Sequence, residues 1–149
     1  MSKALIVYAT RTGSTEKIAE LIAEGIRFTG AEAQVMNANK IINETDLEGF
    51  EAYVFGSATY HGEMMQGMKK VLFLAEKINC EGKPGGAFGA FGWSGEASYR
   101  IHETMENIFK MDMVSGPLRL KSSGLEGGKQ MAQDYGREVG KKIVSIIYL

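Results

Sequence analysis

The sequence predicts an α/β fold in which a parallel β-sheet carries helices on both of its faces. Apolar runs alternate with amphipathic helical patterns over all 149 residues, and such alternation is typical of strand–helix–strand units. The first run, KALIVYA at residues 3–9, is continuously apolar after its lysine, as expected for a strand that is buried on both faces. Hydrophobic residues make up 44% of the chain and charged residues 23%, so we expect one globular domain over residues 1–149.

The remaining elements follow in the order that this fold requires. Residues 14–28 place Ile18, Leu21 and Ile22 at spacings of three and four, which predicts an amphipathic helix. A weaker strand, a short connector and a third strand precede the second helix, and two further strand–helix pairs complete the chain. We place these elements at residues 31–38, 46–50, 51–59, 64–78, 84–92, 96–110, 113–123 and 125–147.

The last of these helices has a face of small residues, which includes Ala132, Gly136 and Gly140. A helix with such a face can approach a neighbouring element closely. We therefore expect this face to lie against the sheet, with larger neighbours such as Tyr135 filling the sides.

Charge and cysteine content exclude several classes of protein. The formal net charge is −1, from 17 Lys or Arg and 18 Asp or Glu, which argues against a nucleic-acid-binding protein because such proteins show a basic stripe. Cys80 is the single cysteine, so we expect no intramolecular disulfide and a reducing compartment, the cytoplasm. The N-terminal apolar run is too short to span a membrane. His61 and His102 are the only histidines and nothing pairs them as ligands, so we expect no metal site.

The first candidate loop follows the first strand. Open α/β sheets bind ligands at the carboxyl ends of their strands, where the strand order reverses, so the loops after the first, third and fourth strands form the candidate site. The first loop, TRTGST at residues 10–15, carries four hydroxyl side chains around Gly13. The N-terminus of the helix behind it offers free backbone N–H groups and a partial positive charge, which suit a phosphate or a carboxylate.

This loop also allows a simpler interpretation, in which Ser14 or Thr15 serves only as the N-cap of the helix. A cap requires one hydroxyl, and four within six residues favour an anion site. Neither the phosphoryl-transfer motif G-x-x-x-x-G-K-[ST] nor the dinucleotide fingerprint G-x-G-x-x-G is present. We interpret the side chains of Arg11 and Lys17 as solvated surface charges.

The second loop, GSATYHGEMM at residues 56–65, places Tyr60 and His61 between two glycines. An aromatic ring beside a cleft can stack on a flat ligand, which contributes about 1 kcal/mol beyond area burial. Tyr60 could alternatively cover the end of the core.

The third loop, GAFGAFGWSGEAS at residues 86–98, alternates glycines with Phe88, Phe91 and Trp93. Because glycines have no side chain, a ligand can approach the backbone amides at the end of the strand. Trp93 is the single tryptophan and lies in a polar loop, which favours ligand stacking over core packing. Glu96 has two interpretations, a first-turn carboxylate stabilised by the helix dipole or a ligand contact.

Together these three loops resemble the flavodoxin family. TRTGST is similar to its T-x-T-G-x-T phosphate loop, GSATYHG to its second flavin loop and FGWSGE to its third, in matching order and spacing over essentially the whole chain. The third loop is particularly similar to the flavodoxin domain of flavodiiron proteins, and the uninterrupted SGPLRLKSS indicates the short-chain type. The resemblance implies a flavodoxin-like three-layer sandwich, with a five-stranded parallel sheet in the order 2-1-3-4-5.

The resemblance also implies that the cofactor is non-covalently bound FMN. It implies a low-potential one-electron carrier rather than an enzyme, with no catalytic residue, redox proteins as donors and acceptors, and a monomeric state. The phosphate would be held by Thr10, Thr12, Gly13, Ser14 and Thr15 with the backbone of Arg11. One side of the isoalloxazine would be lined by Ala58, Thr59, Tyr60, His61 and Gly62. The other side and the pyrimidine edge would be contacted by Ala90, Phe91, Gly92, Trp93, Ser94 and Gly95.

Two features depart from the family pattern. His61 stands where many flavodoxins have glycine, and its β-carbon makes positive φ costly, so we expect the peptide turn at His61 and Gly62 to be disfavoured. Many flavodoxins are strongly acidic, whereas this chain has a net charge of −1, so we expect weaker docking of basic partners.

Three alternative functions stay open at this point. A flavodoxin-like NAD(P)H-dependent quinone reductase would need a nicotinamide site, and the sequence has no second nucleotide fingerprint. A receiver-type signalling domain would need clustered carboxylates at the strand ends, where Thr10, Thr12 and Ser57 stand instead. A flavin-free interaction module is compatible with the fold, because fold does not fix function.

Overall fold

A six-stranded sheet forms the centre of the computed structural model, which describes residues 2–91, 95–121 and 127–147. In chain order the strands are β1 (Lys3–Ala9), β2 (Glu32–Asn37), β3 (Ala52–Ser57), β4 (Thr59–Tyr60), β5 (Glu63–Met64), β6 (Pro84–Phe91), β7 (Asp112–Met113) and β8 (Leu118–Lys121). Strands β4 and β5 pair with each other as a separate antiparallel hairpin. The sheet has the order β2-β1-β3-β6, with β7 and β8 both beside β6, and every pair in it is parallel. The predicted order 2-1-3-4-5 is confirmed, because β7 and β8 together occupy the fifth position.

Within the described residues, four helices cover the two faces of this sheet. They are α1 (Ser14–Arg27), α2 (Gln66–Ala75), α3 (Glu96–Glu103) and α4 (Gly128–Ile147), and α3 continues as a π-helical turn over Thr104–Ile108. Successive residues of β1 point to opposite faces, so Leu5 and Val7 pack with α2 and α3 while Ala4 and Ile6 pack with α1 and α4. The three-layer sandwich is therefore as predicted, and its two cores explain why β1 is apolar throughout.

The small-residue face of α4 packs against α1, and the prediction that it lies against the sheet is wrong. A β-carbon at Gly136 would lie 2.0 Å from the carbonyl oxygen of Ile22, and one at Gly140 would lie 2.2 Å from Thr29 Oγ1. Gly25 of α1 approaches the Gln133 carbonyl oxygen equally closely, at 2.0 Å from its β-carbon position. Two helices that share one face of a sheet also meet along their flanks, and here the backbones touch. Larger side chains of α4, such as Tyr135, fill the space over the sheet.

The short fifth strand that was predicted within residues 113–123 is present as β8, and the two-residue strand β7 precedes it. Strand β7 pairs with Pro84 and Gly85, whereas β8 pairs with β6 only from Phe88 onward. Between these contacts the backbone N–H of Ala87 donates a 3.0 Å hydrogen bond to the hydroxyl of Tyr135 from α4. A buried N–H group requires an acceptor, and the Tyr135 hydroxyl of α4 supplies the acceptor that no described neighbouring strand provides at Ala87.

Element boundaries differ from the predictions mainly beside the second loop. The third strand ends at Ser57, and the second helix begins at Gln66 rather than at residue 64 because Met64 pairs in the hairpin. The predicted connector at residues 46–50 is a 3₁₀ turn over Glu44–Leu47, closed by a capping box between Asn43 and Asp46. A second 3₁₀ turn, over Ala38–Lys40, follows β2.

Candidate functional site

The first loop joins the carboxyl end of β1 to the N-terminus of α1. Gly13 occupies the N-cap position with φ 94°, a left-handed conformation, and none of the described side chains caps the helix. The backbone N–H of Gly13 donates to Thr10 Oγ1 at 2.9 Å, which curls the loop back on itself. The interpretation of Ser14 or Thr15 as the N-cap is therefore wrong, because the cap position is held by glycine.

Thr15 provides the clearest sign of a ligand in this loop. The residue is fully buried, and its hydroxyl has no hydrogen-bond partner among the described residues. Most buried polar side chains are satisfied, so an unpartnered one at a helix N-terminus requires an explanation. A bound anion would accept this hydrogen bond and would also be stabilised by the partial positive charge of the helix N-terminus.

The second loop is the tight turn of the β4–β5 hairpin. Thr59 pairs with Met64 and Tyr60 with Glu63, which leaves His61 and Gly62 as a two-residue loop. Both have positive φ, at 52° and 74°, as a type I′ turn requires. The turn forms even though the β-carbon of His61 makes its positive φ costly, because histidine is among the non-glycine residues enriched in the left-handed region and the pairing of β4 with β5 fixes the conformation.

Side chains at the base of the hairpin fix it to the rest of the site. Ser57 Oγ accepts a hydrogen bond from the backbone N–H of Met65 at 2.9 Å and donates one to the Ala58 carbonyl oxygen at 2.8 Å. Thr59 Oγ1 accepts from the backbone N–H of Ala97 at 3.2 Å, in the first turn of α3. The hydroxyl of Thr59 therefore links the second loop to the helix that follows the third loop.

Only part of the third loop falls within the described residues. Ala90 is buried at the end of β6, Phe91 is half-buried, and Gly95 is the N-cap of α3. Gly92, Trp93 and Ser94, which were predicted to contact the flavin, lie outside the described residues. A β-carbon at Gly95 would lie 2.6 Å from Arg119 Nε, so the Arg119 side chain packs directly against this position.

Arginines connect these loops in a way that the sequence analysis missed. The Arg11 guanidinium carbon lies 4.4 Å from the Tyr60 ring centroid, which joins the first loop to the second, while the residue stays exposed as a surface charge. The Arg119 guanidinium lies over the rings of Phe91 and Tyr99, at 5.1 and 4.9 Å, and donates a 3.0 Å hydrogen bond to the Tyr99 hydroxyl. No local motif signals these contacts, because each joins residues from different elements.

The main electrostatic interactions at the hairpin are those of the Glu63 carboxylate. Its carboxylate lies 2.7 Å from Lys69 Nζ and 3.0 Å from Arg100 Nη1. The hydrogen bond from Lys69 and the charge of Arg100 lower the pKa of Glu63, so the carboxylate is ionised at neutral pH. At the end of β1, burial and a 2.6 Å hydrogen bond to Glu16 raise the pKa of Tyr8, which therefore acts as a neutral donor.

Two kinds of feature are absent from the residues that the structure describes. No group of three or more His, Cys, Asp or Glu in the described ranges is arranged to hold a metal ion. None of the helices within those ranges combines the length and the apolar character that crossing a membrane would require.

Comparison with known proteins gives consistent matches. The family model described as a flavodoxin domain matches residues 5–85. A flavodoxin of Clostridium beijerinckii is 30% identical over 142 residues, which cover 95% of this chain and 99% of that protein. The rubredoxin-oxygen oxidoreductase of Megalodesulfovibrio gigas is 29% identical over 153 residues, which cover 97% of this chain but only 37% of that longer protein. A solved flavodoxin structure from the domain Archaea superposes with a TM-score of 0.88 at 31% identity, covering 95% of this chain and 98% of that one.

Proposed function

Because the chain belongs to the flavodoxin family, we propose that it binds FMN at the three loops and carries single electrons at low potential between redox proteins. The family is one of FMN-binding electron carriers, and nothing in the comparisons favours a quinone reductase. The observation that carries the proposal is the buried, unpartnered hydroxyl of Thr15 at the N-terminus of α1, which fits a non-reacting phosphate.

The chain's own residues would each perform a stated part of this binding. The hydroxyls and amides of residues 10–15 would donate to the phosphate, and the left-handed Gly13 gives them their inward curvature. No lysine is required, because a phosphate that does not react develops no additional charge. The hairpin of residues 58–62 would line one side of the isoalloxazine and residues 90–95 the other.

The protein also controls the surroundings of the cofactor. FMN supplies the redox chemistry when it is bound, and the protein orients it and adjusts its electrostatics. Tyr60 offers an aromatic ring for stacking, and the His61–Gly62 turn offers a backbone peptide beside it. The arginines Arg11 and Arg119 lie at the same end of the sheet, and the guanidinium of each is held over an aromatic ring.

The remaining parts of the proposal concern the context of this chemistry. We place the protein in the cytoplasm as a monomer, with residues 1–149 forming one FMN-binding domain. Its donors and acceptors are redox proteins, in line with the absence of a second nucleotide fingerprint in the sequence.

Titration of the apoprotein with FMN tests the proposal directly. We expect quenching of flavin fluorescence that saturates at one FMN per chain, followed in a spectroelectrochemical titration by two separate one-electron steps. Absence of quenching would exclude the cofactor assignment. A single two-electron step together with rapid NADH oxidation in the presence of a quinone would support the reductase instead.

A further inference from the structure

Positive charge is concentrated at the end of the sheet where the strands finish and the three loops begin. In the described residues, the carboxyl ends of the strands and the helical turns that follow them contain eight Lys or Arg and three Glu. The ranges counted are 10–17, 38–41, 58–69, 95–100, 119–121 and 127–131. Because the whole chain has a formal charge of −1, the rest of the molecule is acidic and the charge is strongly polarised.

Four of these cations are held in place by contacts around the candidate site. We call Arg11, Lys69, Arg100 and Arg119 the cationic rim. Arg11 lies on the Tyr60 ring, Arg119 on the rings of Phe91 and Tyr99, and Lys69 and Arg100 both contact Glu63. One carboxylate thus lies between two cations of the rim.

Exposed aromatic rings lie within this rim. Tyr60 is 43% exposed and Tyr99 is 47% exposed, and each ring carries an arginine on its face. Tyrosine and arginine are the residue types that dominate the binding energy of protein interfaces. A ring that is already fixed by a hydrogen bond, as Tyr99 is by Arg119, loses little conformational freedom when a partner covers it.

We propose that the cationic rim is the docking surface for an electron-transfer protein whose own docking face is acidic. The inference rests on the proposed function, because the rim surrounds the loops that would hold FMN. A positive face around the flavin attracts a negative partner, speeds the encounter and orients the two cofactors towards each other. It reverses the charge complementarity expected of an acidic flavodoxin, whose partners are basic.

Two double variants of equal net charge test the proposal in the FMN-loaded protein. Lys69→Gln with Arg100→Gln removes two cations of the rim. Lys142→Gln with Arg137→Gln is the matched control, because Lys142 forms a 2.7 Å ion pair with Asp112 at the opposite edge of the sheet and Arg137 a 2.8 Å pair with Asp134 on α4. The lysines are also similarly exposed, with 40% of the Lys69 side chain and 36% of the Lys142 side chain accessible.

The probes are an acidic rubredoxin and a basic cytochrome c, with binding followed by NMR shift titration at low and high salt. We expect rubredoxin to bind more tightly than cytochrome c, with an affinity that falls as salt screens the charges. The rim variant should weaken rubredoxin binding by about fivefold or more, and the control variant by less than about twofold.

Several results would overturn the inference. Tighter binding of cytochrome c, no binding of rubredoxin, or equal weakening in both double variants would each show that the rim does not select acidic partners. The FMN dissociation constant of each variant is measured in parallel. Normal FMN binding with any of these results would reject the docking surface alone, whereas failure of the unsubstituted protein to bind FMN would reject the proposed function.

Discussion

At the scale of single residues, Thr15 allows the effect of a side chain on stability to be distinguished from its effect on ligand binding. Its buried hydroxyl has no partner among the described residues, and valine has the same shape without the hydroxyl. We expect Thr15→Val to raise the free energy of unfolding of the apoprotein by up to about 1 kcal/mol, because an unsatisfied polar group is removed. FMN affinity should fall by about tenfold or more, because the phosphate loses a donor. Denaturant unfolding and flavin fluorescence titration measure the two effects.

Thr29 is the matched control for this substitution, at the other end of α1. Its hydroxyl donates a 2.6 Å hydrogen bond to the Ile26 carbonyl oxygen, so Thr29→Val should lower stability by about 1 kcal/mol and leave FMN affinity unchanged. If Thr15→Val binds FMN as tightly as the unsubstituted protein, the phosphate does not contact Thr15.

At His61, the backbone conformation of the hairpin turn is expected to affect the reduction potentials of bound FMN. Its φ of 52° costs about 1 kcal/mol for a residue with a β-carbon. In His61→Gly both turn positions become glycine, so the peptide between them can take either orientation more easily. We expect the two one-electron reduction potentials of bound FMN to move further apart, as measured by spectroelectrochemical titration.

Lys110 offers a control for this effect, since it also has positive φ, at 58°, in the loop before β7. Lys110→Gly should relieve the same kind of backbone strain without changing either potential. An unchanged or smaller separation in His61→Gly would contradict the role assigned to the hairpin turn.

At the scale of secondary-structure elements, the close contact of α1 with α4 depends on glycine. Gly136→Ala would place a methyl group 2.0 Å from the Ile22 carbonyl oxygen, so the helices must separate. We expect urea unfolding to show a loss of about 1–3 kcal/mol or more. Gly67→Ala in α2 is the control, because its β-carbon would lie 3.4 Å from the nearest atom, and it should stabilise the protein by about 0.5–1 kcal/mol. If both substitutions changed the free energy of unfolding equally, helix propensity rather than packing would determine the effect of Gly136→Ala.

The existence of the main elements could be predicted from periodicity, but two details could not. Met64 and Met65 continue an apolar helical pattern, yet Met64 belongs to the hairpin because it pairs with Thr59. A short fifth strand could be predicted, but not the separate pairing of β7 before it, with Tyr135 supplying the acceptor for Ala87 between the two strands. In both cases a partner distant in sequence determines the local structure.

At the scale of the whole molecule, buried tyrosines couple stability to alkaline pH. Burial raises the pKa of Tyr135 and of Tyr53 from the ordinary value of 10.0 to about 12. Since the folded values exceed the unfolded ones, the stabilisation is fully present below pH 10 and is lost as the pH rises towards 12. We expect the free energy of unfolding to fall by about 1–3 kcal/mol between pH 9 and pH 11.5, as measured by denaturant unfolding.

Tyr135→Phe provides the comparison for this pH dependence. The variant should start about 1–3 kcal/mol less stable, because the backbone N–H of Ala87 loses its acceptor in a buried position. Its further loss between pH 9 and pH 11.5 should be smaller than that of the unsubstituted protein. An equal loss would mean that other groups, and not Tyr135, govern alkaline unfolding.

The sequence by itself determined the fold, because the fold depends on patterns within short segments, and its resemblance to the flavodoxin family implied the cofactor. Short sequence patterns predict the apolar strand β1, the amphipathic helix α1 and the TRTGST loop without reference to distant residues. The tertiary structure decided which side chains from separate loops meet: Arg11 with Tyr60, Arg119 with Tyr99, and Thr59 with α3, 38 residues along the chain. These contacts, and the concentration of positive charge at this end of the sheet, follow from strand order and helix packing, which bring together residues that no local pattern connects.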